Sequence, residues 1–248
     1  MQPEQSVQPV LSEQPQQSPS SILLPTILDT IGREIVSGEL PEGHTFTLHH
    51  LSERFDVSRT VARETMRALE QLGMVSSSRR VGLRVLPQSE WNVFDEAVIE
   101  WRLQSETQRP AQLASLRELR DAIEPVASRH AAEHASAEEV AQLRELATRI
   151  VELAQADAGN SQEFLEADIK FHSVLLAASG NEMFCQLTEP TMEVLRARTY
   201  YGIMPDDPAV ETMRIHVDIV DAIERGDADA AEHASRSLLR GVNNFMEI

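Results

Sequence analysis

Apolar residues recur at helical spacing along most of the chain, and the exceptions mark its joints. In PTILDTIGREIVSGELPEG (25–43), Ile27, Ile31, Ile35 and Val36 fall on one helix face. Gly38 predicts its end, and Pro41 with Gly43 a turn. LHHLSERF predicts a short second helix, followed by a tight turn at Asp56 and Val57. Ser58 suits the cap of a third helix, because its hydroxyl can accept from an orphan backbone N–H. In that helix Val61, Thr65, Ala68, Leu69 and Leu72 share a face, and Gly73 ends it. MVSSSRRVGLRVL then reads as two short strands around a basic tip. Three helices and a hairpin over residues 22–88 predict a winged helix-turn-helix, whose third helix enters the DNA major groove.

The segment 89–110 predicts a linker helix carrying Trp91 and Trp101, the only tryptophans, as packing anchors. From residue 111 to 248 the pattern is entirely helical: six antiparallel helices with short Gly-, Asn- or Pro-marked connections make a bundle. Pro125 and Pro190 are expected to kink their helices. The fold class is therefore mainly α: an N-terminal winged module and a C-terminal antiparallel bundle.

Two polar features break the bundle pattern. Asp168 and His172 are four residues apart on an inward face with Phe164, Leu165, Phe171 and Leu175, while Glu163, Glu166 and Lys170 face out. His216 centres on an inward stripe with Met213, Ile219, Val220 and Ile223. A buried carboxylate must be paired or ligate a metal. The spacing leaves both a hydrogen-bonded pair and a divalent site open.

Charge separates the halves. The chain of 248 residues has 40 Asp+Glu against 22 Lys+Arg, a net −18. Yet His49 to Val85 holds seven Arg and four acids, a balance of +3, whereas Glu90 to Ile248 holds fourteen Lys+Arg and thirty acids, a balance of −16. One compact basic segment on an acidic protein suits a small DNA-binding module joined to a larger domain that would repel a polyanion. The lone Cys185 excludes an intrachain disulfide framework and suits a reducing cytoplasm. No apolar stretch reaches membrane-spanning length, and MQPEQSVQPVLSEQPQQSPSS (1–21) reads as a disordered tail rather than a secretory signal.

The basic stripe has a chemical reason. Arg59, Arg63 and Arg67 stand at i, i+4 and i+8, opposite the apolar face of the third helix. Guanidinium charge meets phosphate and can also donate two bonds to a guanine edge. Ser58 and Thr60 add small donors at the helix N-terminus. Arg54 precedes the turn, and Arg79, Arg80 and Gly82 lie at the wing.

LSERFDVSRTVARETMRALEQLGMV followed by RRVGLRV resembles the DNA-binding domain of the GntR superfamily of bacterial transcription regulators. That resemblance implies that Arg59, Thr60 and Arg63 contact the operator with Ser58 beside them. One departure is His49, where the family usually has arginine, which implies a weaker or pH-sensitive contact. RELRDAIEP, ADIKFHSVLLAASGN and HVDIVDAIERGDADAA resemble the FCD effector domain of the FadR subfamily. In many such domains one Asp and three His hold a divalent metal at the floor of the effector cavity. Asp168, His172 and His216 match three positions, and Leu238 stands at the fourth. The resemblance thus implies a three-ligand site, with zinc the expected metal.

Arg120 matches an arginine that faces the family's effector cavity and would offer a carboxylate a bidentate fork. An internal ion pair with Glu124, one turn on, stays open beside that role. Of Arg196 and Arg198, one is expected to reach the cavity. The linker EWNVFDEAVIEW and the incomplete metal set are most similar to galactonate-type regulators of sugar-acid catabolism. The expectation is a cytoplasmic, homodimeric repressor rather than an enzyme, released from a palindromic operator by a small carboxylate, with a sugar acid the expected class. The alternatives are a metal-free acyl-CoA-type regulator, against which Asp168 and both histidines argue, and a helical-bundle metalloenzyme. The latter would need a general base that is not evident beside the three ligands.

Overall fold

The computed structural model describes residues 19–78, 82–203 and 209–244. Residues 1–18 of the expected tail, and Arg79 and Arg80 of the expected wing tip, lie outside them. The chain divides into two compact units, residues 1–92 and 93–248.

In the first unit α1 (Pro19–Ser37) ends where Gly38 takes φ +85°, as its sequence predicts. α2 (Leu48–Arg54) and α3 (Arg59–Gln71) follow, turned by Asp56 at φ 50°. Ser58 caps α3, its hydroxyl accepting from the Val61 N–H at 3.3 Å. Thr47 caps α2 in the same way through the His50 N–H. Ile27, Ile31, Leu51, Val61, Leu69, Met74 and Leu83 are buried together in this unit, so one apolar stripe from each helix builds its core. Ala68, expected inward, is only half-buried.

The wing has three strands, not two. β2 (Val75–Ser78) and β3 (Gly82–Val85) form the expected hairpin, and β1 (Thr45–Phe46) pairs antiparallel with the other edge of β3, giving the order β1-β3-β2. Two residues are too few to show strand alternation. Phe46 nevertheless buries its ring and aligns with Leu83.

Gly73 joins α3 to the wing at φ +69°, and a Cβ there would lie 2.2 Å from the Glu90 carbonyl oxygen. Backbone on both sides leaves nothing flexible to yield. Gly73→Ala is therefore expected to destabilise the winged unit by about 2–4 kcal/mol, combining left-handed strain with overpacking. An unchanged denaturation midpoint would show that the turn does not run against residue 90.

The second unit holds α4 (Glu96–Gln104), α5 (Arg109–His134), α6 (Ala137–Gln155), α7 (Gln162–Ala178), α8 (Glu182–Gln186), α9 (Thr188–Tyr200), α10 (Val210–Glu224) and α11 (Ala228–Asn244). α4 lies within the segment expected to form the linker helix. Its Ile99 and Leu103 are buried with Leu116, Ile123 and Met192, so it packs into this unit on α5 and α9. The expected fourth bundle helix is corrected: it breaks at Leu187 into α8 and α9. Pro190 then falls in the first turn of α9, where its missing N–H costs little, and it does not kink a longer helix. α5 continues through Pro125.

α5 is the central helix, packed by α4, α7, α9, α10 and α11. One apolar cluster, including Leu143, Ile150, Phe171, Leu175 and Ile219, joins α6, α7 and α10. A capping box at Ser136 and Glu139 starts α6, and Ser161 starts α7 by accepting from the Phe164 N–H at 3.1 Å. These caps fix where each helix begins, and hence which residues of α7 turn inward.

Candidate functional site

The basic residues of the winged unit separate into committed and uncommitted groups. Arg54 donates to both carboxylate oxygens of Glu34, one at 2.7 Å, and stacks over Phe55. This ties α2 to α1. Arg67 pairs with Glu64 at 2.8 Å. Arg59, Thr60 and Arg63 are exposed on α3, and among the described residues neither Arg59 nor Arg63 has an ion pair. Gly82 adopts φ +88°, and a Cβ there would meet the Phe46 carbonyl oxygen at 2.6 Å, so it serves strand pairing. His49 is exposed and lies 3.2 Å from Glu53. Arg84, which sequence reasoning did not single out, is exposed on β3, and only its alternation with buried Leu83 and Val85 could have signalled that.

The second unit buries six ionisable side chains together: Arg120 and Glu124 of α5, Asp168 and His172 of α7, Arg198 of α9 and His216 of α10. All but Glu124 line one cavity of about 10 Å³, closed on one side by Leu238. That is room for one water-sized occupant. Arg198 is the inward arginine of its pair. Arg196 faces outward, bonded to Glu193 at 2.5 Å and Glu189 at 3.2 Å. Glu124 is fully buried and is held by Arg120, whose Nε donates to it at 2.7 Å. The Arg120–Glu124 ion pair and a cavity-facing Arg120 are therefore both present.

Around Asp168 the hydrogen bonds leave a specific deficit. His216 Nδ1 lies 2.9 Å from the Met213 carbonyl, which must receive a proton, so Nε2 carries the lone pair. That Nε2 is buried without a hydrogen-bond partner, 3.4 Å from Asp168 Oδ1. His172 Nδ1 faces Glu124 Oε2 at 3.0 Å, off the ideal hydrogen-bond direction, and its Nε2 lies 3.3 Å from the same Asp168 oxygen. Two imidazole lone pairs and a carboxylate oxygen thus converge, all ligand atoms lying within 4.8 Å of one another. At His216 Nε2 an acceptor faces an acceptor, a mismatch that either a proton on the ring or a bound cation would relieve. Edges of 3.3 and 3.4 Å match the ligand separations around a tetrahedral ion with bonds of about 2.0–2.1 Å. The outer contacts, Glu124 to one ring and a carbonyl to the other, are those that fix ligating histidines. The donor set fits a divalent metal.

Burial and neighbouring charge oppose each other throughout this cluster. Burial alone would raise the Glu124 pKa, but the charges of Arg120 and His172 outweigh it and bring it down to about 2. Burial opposes the Asp168 charge too, yet the two imidazoles hold its carboxyl well below the usual range. Burial and the neighbouring Arg120 bring Arg198 down to about 10. Burial and Arg120 press the His172 pKa down, and the Glu124 and Asp168 carboxylates press it up more strongly. Geometry decides its proton: Arg120 Nη2 is 2.6 Å from Nε2, and a guanidinium can only donate, so we place the ring proton on Nδ1. A second cluster, His130, Glu133 and His134, lies on the partly exposed end of α5.

Residues 25–85 match the family described as bacterial regulatory proteins, gntR family, and residues 115–241 match the FCD domain. The chain belongs to the GntR family, FCD branch. It is 30% identical over 217 residues to the galactonate operon transcriptional repressor of Escherichia coli K12, covering 86% of this chain and 92% of that protein. It is 28% identical to the HTH-type transcriptional repressor NanR of Cronobacter sakazakii, over 85% of this chain and 78% of that one. Among solved structures, Lar, described as controlling the Listeria monocytogenes agr system, aligns over 94% of this chain and 98% of its own. Its TM-score is 0.56 at 14% identity, a likeness of fold. As a GntR-family regulator the chain binds DNA through its winged unit and a small-molecule effector through its FCD unit. The family is one of transcription regulators, so the expectation of no enzymatic role holds. Among the described residues no helix is long and apolar enough to cross a membrane.

Proposed function

We propose that this regulator is a cytoplasmic, homodimeric repressor of a small-carboxylate catabolic operon, with a sugar acid as its effector. The observation that carries the reading is the pairing, around one small buried cavity, of the Asp168–His172–His216 donor set with the guanidiniums of Arg120 and Arg198. A divalent metal, with zinc suited to this mixed N/O set, would be held by those three residues and would supply a Lewis-acidic point for an effector oxygen. Arg198 lies 3.5 Å from Asp168 and, with Arg120, offers the carboxylate its planar donors. The galactonate operon transcriptional repressor of Escherichia coli, similar over most of the chain, supports the sugar-acid assignment.

On the DNA side, two winged units related by a two-fold axis would read a palindromic operator, with Arg59, Thr60 and Arg63 on the bases or adjoining phosphates. Release requires that the effector bind the non-DNA conformation more tightly, since equal affinity for both states shifts nothing. The test is thermal melting of the purified protein against a panel of hexonates and other small carboxylates, with and without chelator. One sugar acid is expected to raise the melting temperature by several degrees at saturating concentration, and chelator to remove that rise. If no acid shifts the melt and chelator changes nothing, the metal-carboxylate cavity is wrong.

A further inference from the structure

We propose that Arg120 competes with the metal for His172, and that this arginine thereby sets how tightly the site holds its ion. The proposal rests on the metal reading above. His172 Nε2 has one lone pair, and Arg120 Nη2 donates into it at 2.6 Å. A metal bound by His172 needs that same lone pair. The two contacts are mutually exclusive. His216 differs: its Nε2 has no hydrogen-bond partner, so it is available without displacement.

The surroundings make the competition unavoidable. The cavity has room for one water-sized occupant, so an ion cannot be added beside an unmoved guanidinium. Two buried guanidiniums also repel a divalent cation across a short, poorly solvated distance. Leu238, almost fully buried at the cavity wall, adds no fourth donor to offset that repulsion. Arg120 can leave His172 without leaving its helix pair. Its Nε stays on Glu124 Oε1 at 2.7 Å while the Nη2 arm turns away. By reciprocity, any anion that draws Nη2 off His172 strengthens metal retention by the same factor that metal strengthens the anion.

The experiment is Zn²⁺ affinity of the full-length protein by competition with a chromophoric chelator, repeated with Co²⁺ to read tetrahedral coordination from its visible absorption. Arg120→Gln is expected to bind about tenfold tighter or more than the parent, the effect of removing one charged hydrogen bond. Because Arg120→Gln strips Glu124 of its cation, the double variant Arg120→Gln/Glu124→Gln, uncharged at both positions, guards against misfolding and is expected to shift the same way. Arg129→Gln, an exposed cation on the same helix, is expected to change nothing. If the parent binds metal and neither Arg120 variant binds more tightly, the competition is overturned while the metal site stands. If the parent and both variants bind no metal, the metal reading falls and takes the proposal with it.

Discussion

Glu124→Ala is expected to cost the effector unit about 3–5 kcal/mol, enough to lower its unfolding midpoint sharply, because it strands buried charge. Glu124 is fully buried, accepts from Arg120 at 2.7 Å and lies 3.0 Å from His172 Nδ1. Removing it leaves the Arg120 guanidinium buried beside Arg198 with no carboxylate of its own. Glu124→Gln should be milder, because the amide oxygen still accepts from the arginine. The pH dependence follows from the same site. Glu124 falls from an ordinary 4.5 to about 2 on folding, so its unfolded form binds more protons in that interval. Its contribution is fully present above about pH 5 and is lost as pH falls toward 2. Asp168 shifts in the same direction. Denaturant unfolding across pH 3 to 7 should show a steep acid loss in the parent and a shallower one in Glu124→Ala. Equal slopes, or a cost below about 1 kcal/mol, would mean that Glu124 is not the counter-ion of this cluster.

The inward placement of Asp168, His172 and His216 is legible because a 3.6-residue period puts them among apolar neighbours, and the helix caps hold that phase. The stop at Gly38 and the cap at Ser58 are legible for similarly local reasons. What the sequence leaves open depends on helix rotation. Arg196 and Arg198 are two residues, or about 200°, apart, so only one can face in. Which one is set by where α9 begins, and α9 begins after a break at Leu187 that no periodicity announces. The Arg120–His172 contact spans α5 and α7 across 52 positions, and no local pattern encodes it. α4 carries the apolar residues of a packed helix, but with polar residues between them its destination is fixed only by the faces of α5 and α9 that receive Ile99 and Leu103. Local chemistry thus names the inward carboxylate and imidazoles, and tertiary packing decides which side chains meet them.

The other large effect lies at the DNA surface. Arg59→Ala/Arg63→Ala is expected to weaken operator binding by about 2–6 kcal/mol, or thirtyfold to more than ten-thousandfold, if each arginine contributes as a base-reading contact. The structure supplies the reason for choosing these two. Both are exposed on α3, in the first turns after the Ser58 cap, and neither has an ion pair among the described residues. Arg54 and Arg67, by contrast, are engaged with Glu34 and Glu64. A guanidinium already paired must give up that carboxylate to meet DNA, so Arg67→Ala should cost much less than the pair. Fluorescence anisotropy at fixed salt, on a duplex selected from a random pool, measures the loss. Repeating it over a salt series separates the roles, since each lost phosphate contact lowers the salt slope by about one whereas a lost base contact spares the slope and erodes discrimination. If Arg67→Ala is as damaging as the double variant, or the double variant binds as the parent does, α3 does not present its N-terminal turns to the operator.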